Sequence, residues 1–109
     1  MAFNAVGVLL AAGESSRMGR PKPLLPWRGT TLVEYQMNSL LHGGCVWVIV
    51  VTGHYDSEMS PLLVDRPNIN RVYNPDYAEG KTTSVRAGIA KVPDGIDTIV
   101  VLAVDQPRP

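Results

Sequence analysis

Four short apolar runs punctuate the chain, and the stretches between them carry apolar residues at helical spacing. The runs Val6–Ala11 and Val46–Val51 have almost no polar interruption, the pattern of strands buried on both faces of a sheet. Between them, Thr31, Leu32, Val33 and Glu34 match a helix-capping box. Val33, Met37, Leu40 and Leu41 then repeat on one helical face until Gly43 and Gly44 stop the helix. A short helix is expected from about Asp56 to Val64, followed by a strand at Ile69–Tyr73 entered through a turn at Pro67 and Asn68. Thr82 is expected to cap a third helix with Val85, Gly88, Ile89 and Val92 on one face, Gly88 allowing close approach to the sheet. Asp97–Val104 supplies the fourth strand. Strands alternating with helices predict a three-layer α/β fold around an open, mostly parallel sheet, with no repeat, low-complexity tract or linker.

Parallel α/β sheets bind ligands beyond the carboxyl ends of their strands, so the polar segments that follow each run matter most. Leu9 to Lys22 reads LLAAGESSRMGRPK: a strand runs into a glycine-bounded loop rich in hydroxyls and cations. Gly13 and Gly19 let the backbone turn closely around an anion, and Arg17, Arg20 and Lys22 supply fixed positive charge. The spacing matches neither standard phosphate loop. Five residues separate Gly13 from Gly19, and Gly19 is followed by Arg20 rather than by Lys and a hydroxyl residue. Thr52 to His54 follow the second run, Asn74 to Gly80 the third, and Asp105 the fourth, so every suspicious segment falls on one edge.

In order and content these segments resemble the GT-A nucleotidyltransferases, and most closely their MobA/MocA-like branch of molybdenum-cofactor cytidylyl- and guanylyltransferases. The resemblance rests on LAAGESSRMGRPK, on Leu24, Leu25, Pro26 and Trp27, on Gly29 and the helix start at Thr31, and on Thr52, Gly53 and His54. Asn74 and Pro75, Glu79 and Gly80, Ser84, Arg86, Ala87 and Gly88, and finally Asp105, Gln106 and Pro107 complete it. One departure is Val104, where relatives commonly carry a small residue; it adds bulk beside the expected metal site.

The resemblance implies a Rossmann-like sheet of GT-A type and a reaction in which an acceptor phosphate attacks the α-phosphorus of a nucleoside triphosphate. Pyrophosphate leaves without a covalent enzyme intermediate. Arg17 and Lys22 suit the catalytic work of stabilising charge, and backbone amides around Gly13 suit the β- and γ-phosphates. Leu10, Ala11, Ala12, Gly13, Ser15, Ser16, Arg17, Lys22, Thr52, Gly53, His54, Gly80 and Ser84 are the expected nucleotide contacts. Asp105 is the expected Mg²⁺ ligand, since a hard cation takes carboxylate oxygens plus substrate phosphates. The family's guanylyl type tends to read LAGG, so Ala12 favours CTP over GTP, and a molybdopterin-type phosphate is the expected acceptor.

Composition narrows the alternatives. The chain has 109 residues, 45% of them hydrophobic, enough for one small domain with a core. Ten basic residues balance ten acidic ones, so no global field recruits nucleic acid or an acidic membrane. The first thirty residues are nonetheless locally positive, with Arg17, Arg20, Lys22 and Arg28 against Glu14. A single cysteine, Cys45, allows no internal disulfide and suits a reduced, cytoplasmic setting as a small buried hydrophobe. The run at residues 6–12 is too short to span a bilayer and lacks a charged leader.

Each candidate also has a plainer reading. Arg17 and Lys22 could be solvated surface cations, with Arg20 and Arg28 closer to that description, and Gly13 and Gly19 could be turn glycines. Asp105 could simply end a strand. His54 lacks metal-ligand spacing with His42 and reads as a base or ribose contact or a loop hydrogen bond. Ser84 fits a first helical turn or a nucleotide contact. Trp27 and Trp47 read as packing, and Asn74 with Pro75 as a turn. By the resemblance, a second acidic metal ligand and the acceptor pocket belong to sequence beyond Pro109, so residues 1–109 are expected to be the N-terminal nucleotide-binding part of one domain, weakly active or inactive alone. A sugar- or polyol-phosphate nucleotidyltransferase and a non-catalytic nucleotide-binding module remain the competing classes.

Overall fold

The computed structural model describes residues 4–13, 16, 17, 20, 21, 24, 26, 27, 29–64 and 66–104. Four parallel strands form the main sheet: β1 (Ala5–Ala11), β2 (Cys45–Thr52), β3 (Ile69–Tyr73) and β4 (Thr98–Ala103), in the spatial order β3-β2-β1-β4. Three helices connect them: α1 (Leu32–His42), α2 (Asp56–Leu63) and α3 (Lys81–Ile89). The chain moves outward from β1 through β2 to β3, then crosses back to lie on the other side of β1 as β4. This reversal makes the gap between β1 and β4 a topological switch point, where the connections leaving the two strands diverge and a crevice opens at their carboxyl ends.

Strand alternation divides the core into two clusters. Leu9 and Ala11 of β1, with Val48 and Val50 of β2, pack against Val33, Met37 and Leu40 of α1 and Met59 and Leu63 of α2. Val6, Val8 and Leu10, with Ile49 and Val51, form the opposite cluster, against which Val85 and Ala87 of α3 and Tyr77 pack. Gly88 makes the α3 contact possible, because a Cβ there would lie 2.5 Å from Val8 Cγ1 and 3.0 Å from Val51 Cγ2. The three-layer prediction and the role of Gly88 are therefore both met.

Several boundaries and depths differ from the sequence expectation. β2 is not buried along its whole length: Val46 is 46% and Trp47 36% exposed. The β1 register shifts between Ala5 and Val6, whose partners are Cys45 and Trp47, so Val46 is an extra residue in the ladder. Helix α2 ends at Leu63 rather than Val64. Helix α3 starts at Lys81, with Gly80 rather than Thr82 at its cap, because φ = 121° at Gly80 sets the turn without a side-chain cap. It ends at Ile89, which is exposed, and Val92 packs on the core from beyond the helix. β4 begins one residue late because the Asp97 amide donates to Asn4 O while its carboxylate takes the Asn4 amide.

The start of α1 follows the prediction closely. Thr31 Oγ1 accepts from the Glu34 amide at 3.3 Å, and its hydroxyl donates to Glu34 Oε1 at 2.7 Å. Arg66, just past α2, pairs with Glu34 Oε2 and donates to Leu62 O, tying the end of one helix to the start of another. Partial burial pushes the Glu34 carboxyl up, but the Thr31 and Thr30 hydrogen bonds and the Arg66 charge outweigh it and hold the carboxyl below its ordinary value. At the other end, Gly43 and Gly44 close the helix, with Gly44 at φ = 110°. Among the described residues no helix is long and apolar enough to cross a membrane.

Candidate nucleotide site at the carboxyl edge of the sheet

The loops leaving β1, β2 and β3 meet at Gly53. A Cβ on Gly53 would lie 2.6 Å from Ala12 O, 2.7 Å from Tyr77 Cβ and 2.9 Å from Ala12 Cβ, so only glycine fits. The next amide, His54 N, donates to Ala12 O at 3.1 Å, and the Asn74 amide donates to Thr52 O at 2.8 Å. These backbone bonds extend the sheet's pairing past its strands and hold three loops in one layer. On the far side of β1, the Val104 amide donates to Leu10 O at 3.0 Å.

Within this layer the expected contacts divide into those that present backbone and those that present side chains. Leu10 and Ala11 are buried in opposite core clusters, so they offer main-chain groups to the edge. Ala12 is buried with its methyl facing Gly53, while Gly13 is exposed. His54 is exposed, its ring edge-on to Tyr55 at 4.6 Å and to Tyr77 at 5.7 Å, with Nδ1 3.3 Å from the Tyr77 hydroxyl. This aromatic group forms the outer wall above Gly53.

Thr52 is fully buried, and its hydroxyl donates to Asp56, the first residue of α2. Asp56 in turn accepts from Arg71 at 3.2 Å, an ion pair that joins α2 to β3. Thr52 thus presents its backbone to the edge and spends its side chain on α2.

The connection from β3 to α3 is organised by Asn74, which is buried. Its Nδ2 donates to Thr83 Oγ1 and to Ser84 Oγ, both at 2.9 Å, and its Oδ1 accepts from the Asp76 amide at 3.0 Å. Thr83 Oγ1 lies 2.8 Å from Gly80 O and 2.9 Å from Asp76 O, to which its hydroxyl donates. A short 3₁₀ turn, Tyr77–Glu79, and exposed Gly80 are therefore held against the first turn of α3, where Ser84 is buried. From the sequence, Asn74 with Pro75 reads as a turn. The signal that could have found it is an Asn directly after a strand, followed nine and ten residues later by two hydroxyls at a helix start.

The structure brings Ala12, Gly13, Gly53, His54, Gly80 and Ser84 to one edge of the sheet. Ser16 and Arg17 pair their backbones with Pro21 and Arg20 in a short antiparallel ladder. Ser15, Lys22 and the expected metal ligand Asp105 lie outside the described residues. Val104 is buried in the α1-side cluster with Leu9 and Ala11, which directs its bulk into the core. Cys45 sits at the amino end of β2, far from this edge, and burial pushes its thiol up, so it serves as a small hydrophobe.

The family model for the MobA-like NTP transferase domain matches residues 7–109. The chain is 39% identical over 85 residues to the molybdenum cofactor cytidylyltransferase of Escherichia coli (strain K12), covering 78% of this chain and 44% of that protein. It is 42% identical over 105 residues to the nicotine blue oxidoreductase of Paenarthrobacter nicotinovorans, covering 93% and 49%. Among solved structures, a nucleotidyl transferase from Methanothermobacter thermautotroptrophicus superposes with a TM-score of 0.81 at 31% identity, covering 95% of this chain and 51% of that one. The chain spans about half the length of the curated relatives it matches.

Proposed function

Because the chain belongs to the family of MobA-like NTP transferase domains, we propose that it is the nucleotide-binding part of an enzyme that transfers a nucleoside monophosphate, CMP from CTP, to a phosphorylated acceptor of molybdopterin type. The observation that carries this reading is the carboxyl edge of the sheet, where the loops leaving β1, β2 and β3 meet at Gly53 next to the switch point between β1 and β4. That is where an open α/β sheet takes a nucleotide.

In this reading backbone amides from Gly13 to Arg17 wrap the β- and γ-phosphates, and Arg17 and Lys22 neutralise charge growing on the α-phosphate and on departing pyrophosphate. The acceptor phosphate oxygen forms the new bond to the α-phosphorus as the bond to the pyrophosphate oxygen breaks, so alignment accounts for most of the rate. Thr52 to His54, Gly80 and Ser84 frame the nucleoside. Ala12 favours the smaller pyrimidine, since its methyl already fills the space beside Gly53. A hard divalent cation suits the chemistry of this edge: Asp105 follows directly on Val104, whose amide is fixed to Leu10 O, and its carboxylate would hold Mg²⁺. When bound, the ion would polarise the α-phosphate and screen the leaving group.

The test is pyrophosphate release with Mg²⁺, CTP and a molybdopterin-type acceptor, run on this chain and on one extended through the half that its relatives possess. The reading expects turnover from the extended protein, little from the 109-residue chain, and CTP outcompeting GTP and ATP. GTP winning overturns the base assignment, and turnover only with sugar or polyol phosphates overturns the acceptor. Magnesium-independent binding without turnover by the extended protein indicates a binding module.

A further inference from the structure

Asn74 does more than close a turn. Its donors are both used: the two Nδ2 hydrogens go to hydroxyl oxygens, those of Thr83 and Ser84, and Oδ1 takes the Asp76 amide. An amide nitrogen can only donate, so it fixes the polarity of the two hydroxyls that face it. Thr83, having accepted from Asn74, turns its hydrogen to the Gly80 and Asp76 carbonyls. Ser84 also accepts from Asn74, yet its hydrogen finds no acceptor among the described residues. Ser84 is buried in the first turns of α3, at the edge that holds Gly53 and Gly80. A hydroxyl held as an acceptor on one side is an oriented donor on the other.

We propose that Asn74 is a positioning residue that compels Ser84 to present its hydroxyl hydrogen to the nucleotide, so that Ser84 reads an acceptor atom of the nucleoside. This rests on the nucleotide-binding reading of the carboxyl edge. Asn74 itself need touch no ligand. The same amide also bridges β3 to α3, so a merely mechanical role must be separated from control of polarity.

Asn74→Asp makes that separation. The carboxylate is nearly isosteric and keeps the bridge, but it accepts where the amide donated, so both hydroxyls turn their hydrogens inward and Ser84 loses its outward donor. Binding of Mg²⁺ and CTP to the chain is measured by calorimetry for wild type, Asn74→Asp, Ser84→Ala and the double variant, with thermal melts alongside. Each single variant is expected to weaken CTP about 2- to 12-fold, the range of one lost hydrogen bond to a ligand, while Asn74→Asp still melts cooperatively, at a lower temperature than wild type because its carboxylate is buried. The double variant is expected to bind no more weakly than Ser84→Ala alone.

If the two losses multiply instead, Asn74→Asp acts by added negative charge or by distortion, and the proposal falls. Wild-type affinity in Asn74→Asp overturns it as well. Failure of the wild-type chain to bind any nucleoside triphosphate overturns the nucleotide reading and this inference with it, whereas wild-type binding with a multiplicative cycle overturns the inference alone.

Discussion

β2 and β4 flank the same central strand, pair with it in the same direction and have similarly apolar sequences, yet they live in different surroundings. Val48 to Val51 of β2 are wholly inaccessible, while Ile99, Val100 and Val101 of β4 are 41%, 39% and 45% exposed. β2 has β3 on its outer side and helices over both faces. β4 has no strand on its outer side among the described residues, and successive side chains on both faces remain open. An unbroken apolar run therefore encodes the capacity to be buried on two faces, whereas neighbouring elements decide whether that capacity is used. The uncovered strand also borders the switch point, so the part of the site beside β4 is its least enclosed side.

The sharpest way to break this comparison is to place a charge on each of the two strands, at buried Val50 and at exposed Val100. Val50→Asp should cost more than about 4 kcal/mol, since an unpaired carboxylate would enter a dry core, and that is enough to unfold a small domain. Val100→Asp should cost less than about 1 kcal/mol, because water already reaches that position. Urea denaturation of both variants checks the pair, and equal losses would show that β4 is as deeply buried as β2.

A smaller effect is expected where the covered side is clamped. Gly53→Ala should destabilise the chain by about 1–3 kcal/mol through overpacking, because the new methyl meets the Ala12 carbonyl rather than a yielding side chain. It should also weaken CTP binding more than the stability loss alone explains, which parallel denaturation and titration would reveal.

Next comes the helix start that roofs the covered strands. Thr31→Ala should cost about 1 kcal/mol by removing the N-cap. The Glu34 carboxyl is held below its ordinary value of 4.5, so its contribution is present above that pH and fades as pH falls through the lower folded value. Glu34→Gln should accordingly flatten the acid limb of stability below about pH 4.5 and leave the neutral plateau lower by about 1 kcal/mol or less. A pH series of melts tests both the sign and the size.

The smallest change in stability is expected from Val101→Lys on β4, within about 0.5 kcal/mol. Its effect should appear in association instead, since a lysine on an unpaired edge discourages strand-to-strand contact. Light scattering of wild type and variant over a concentration range gives the readout, with less association expected for the variant.

Much of the fold was legible because its signals are local. β3 was bounded at Ile69 and Tyr73, the capping box fixed the start of α1, and the positive-φ glycine at Gly44 fixed its end. Depth was not legible, as Val46, Trp47 and the exposed β4 residues show, because it depends on a bulge and on which element packs where. The candidate site was legible as a set of loops on one edge. What the sequence could not supply was how those loops are joined: Gly53 as a side-chain-free meeting place, and Asn74 as the amide that reaches nine and ten residues ahead to two hydroxyls. Such contacts are set by tertiary approach and leave only a spacing in the sequence.

The most direct measurement is a titration of the isotope-labelled chain with Mg²⁺ and CTP, followed by backbone amide chemical shifts. The account predicts saturable binding, with the largest shifts at residues 10–22, 52–54 and 74–84 and at Val104. Shifts confined to the amino edge around Cys45, Trp47 and Asn68, or no saturable response to any nucleoside triphosphate, would contradict it.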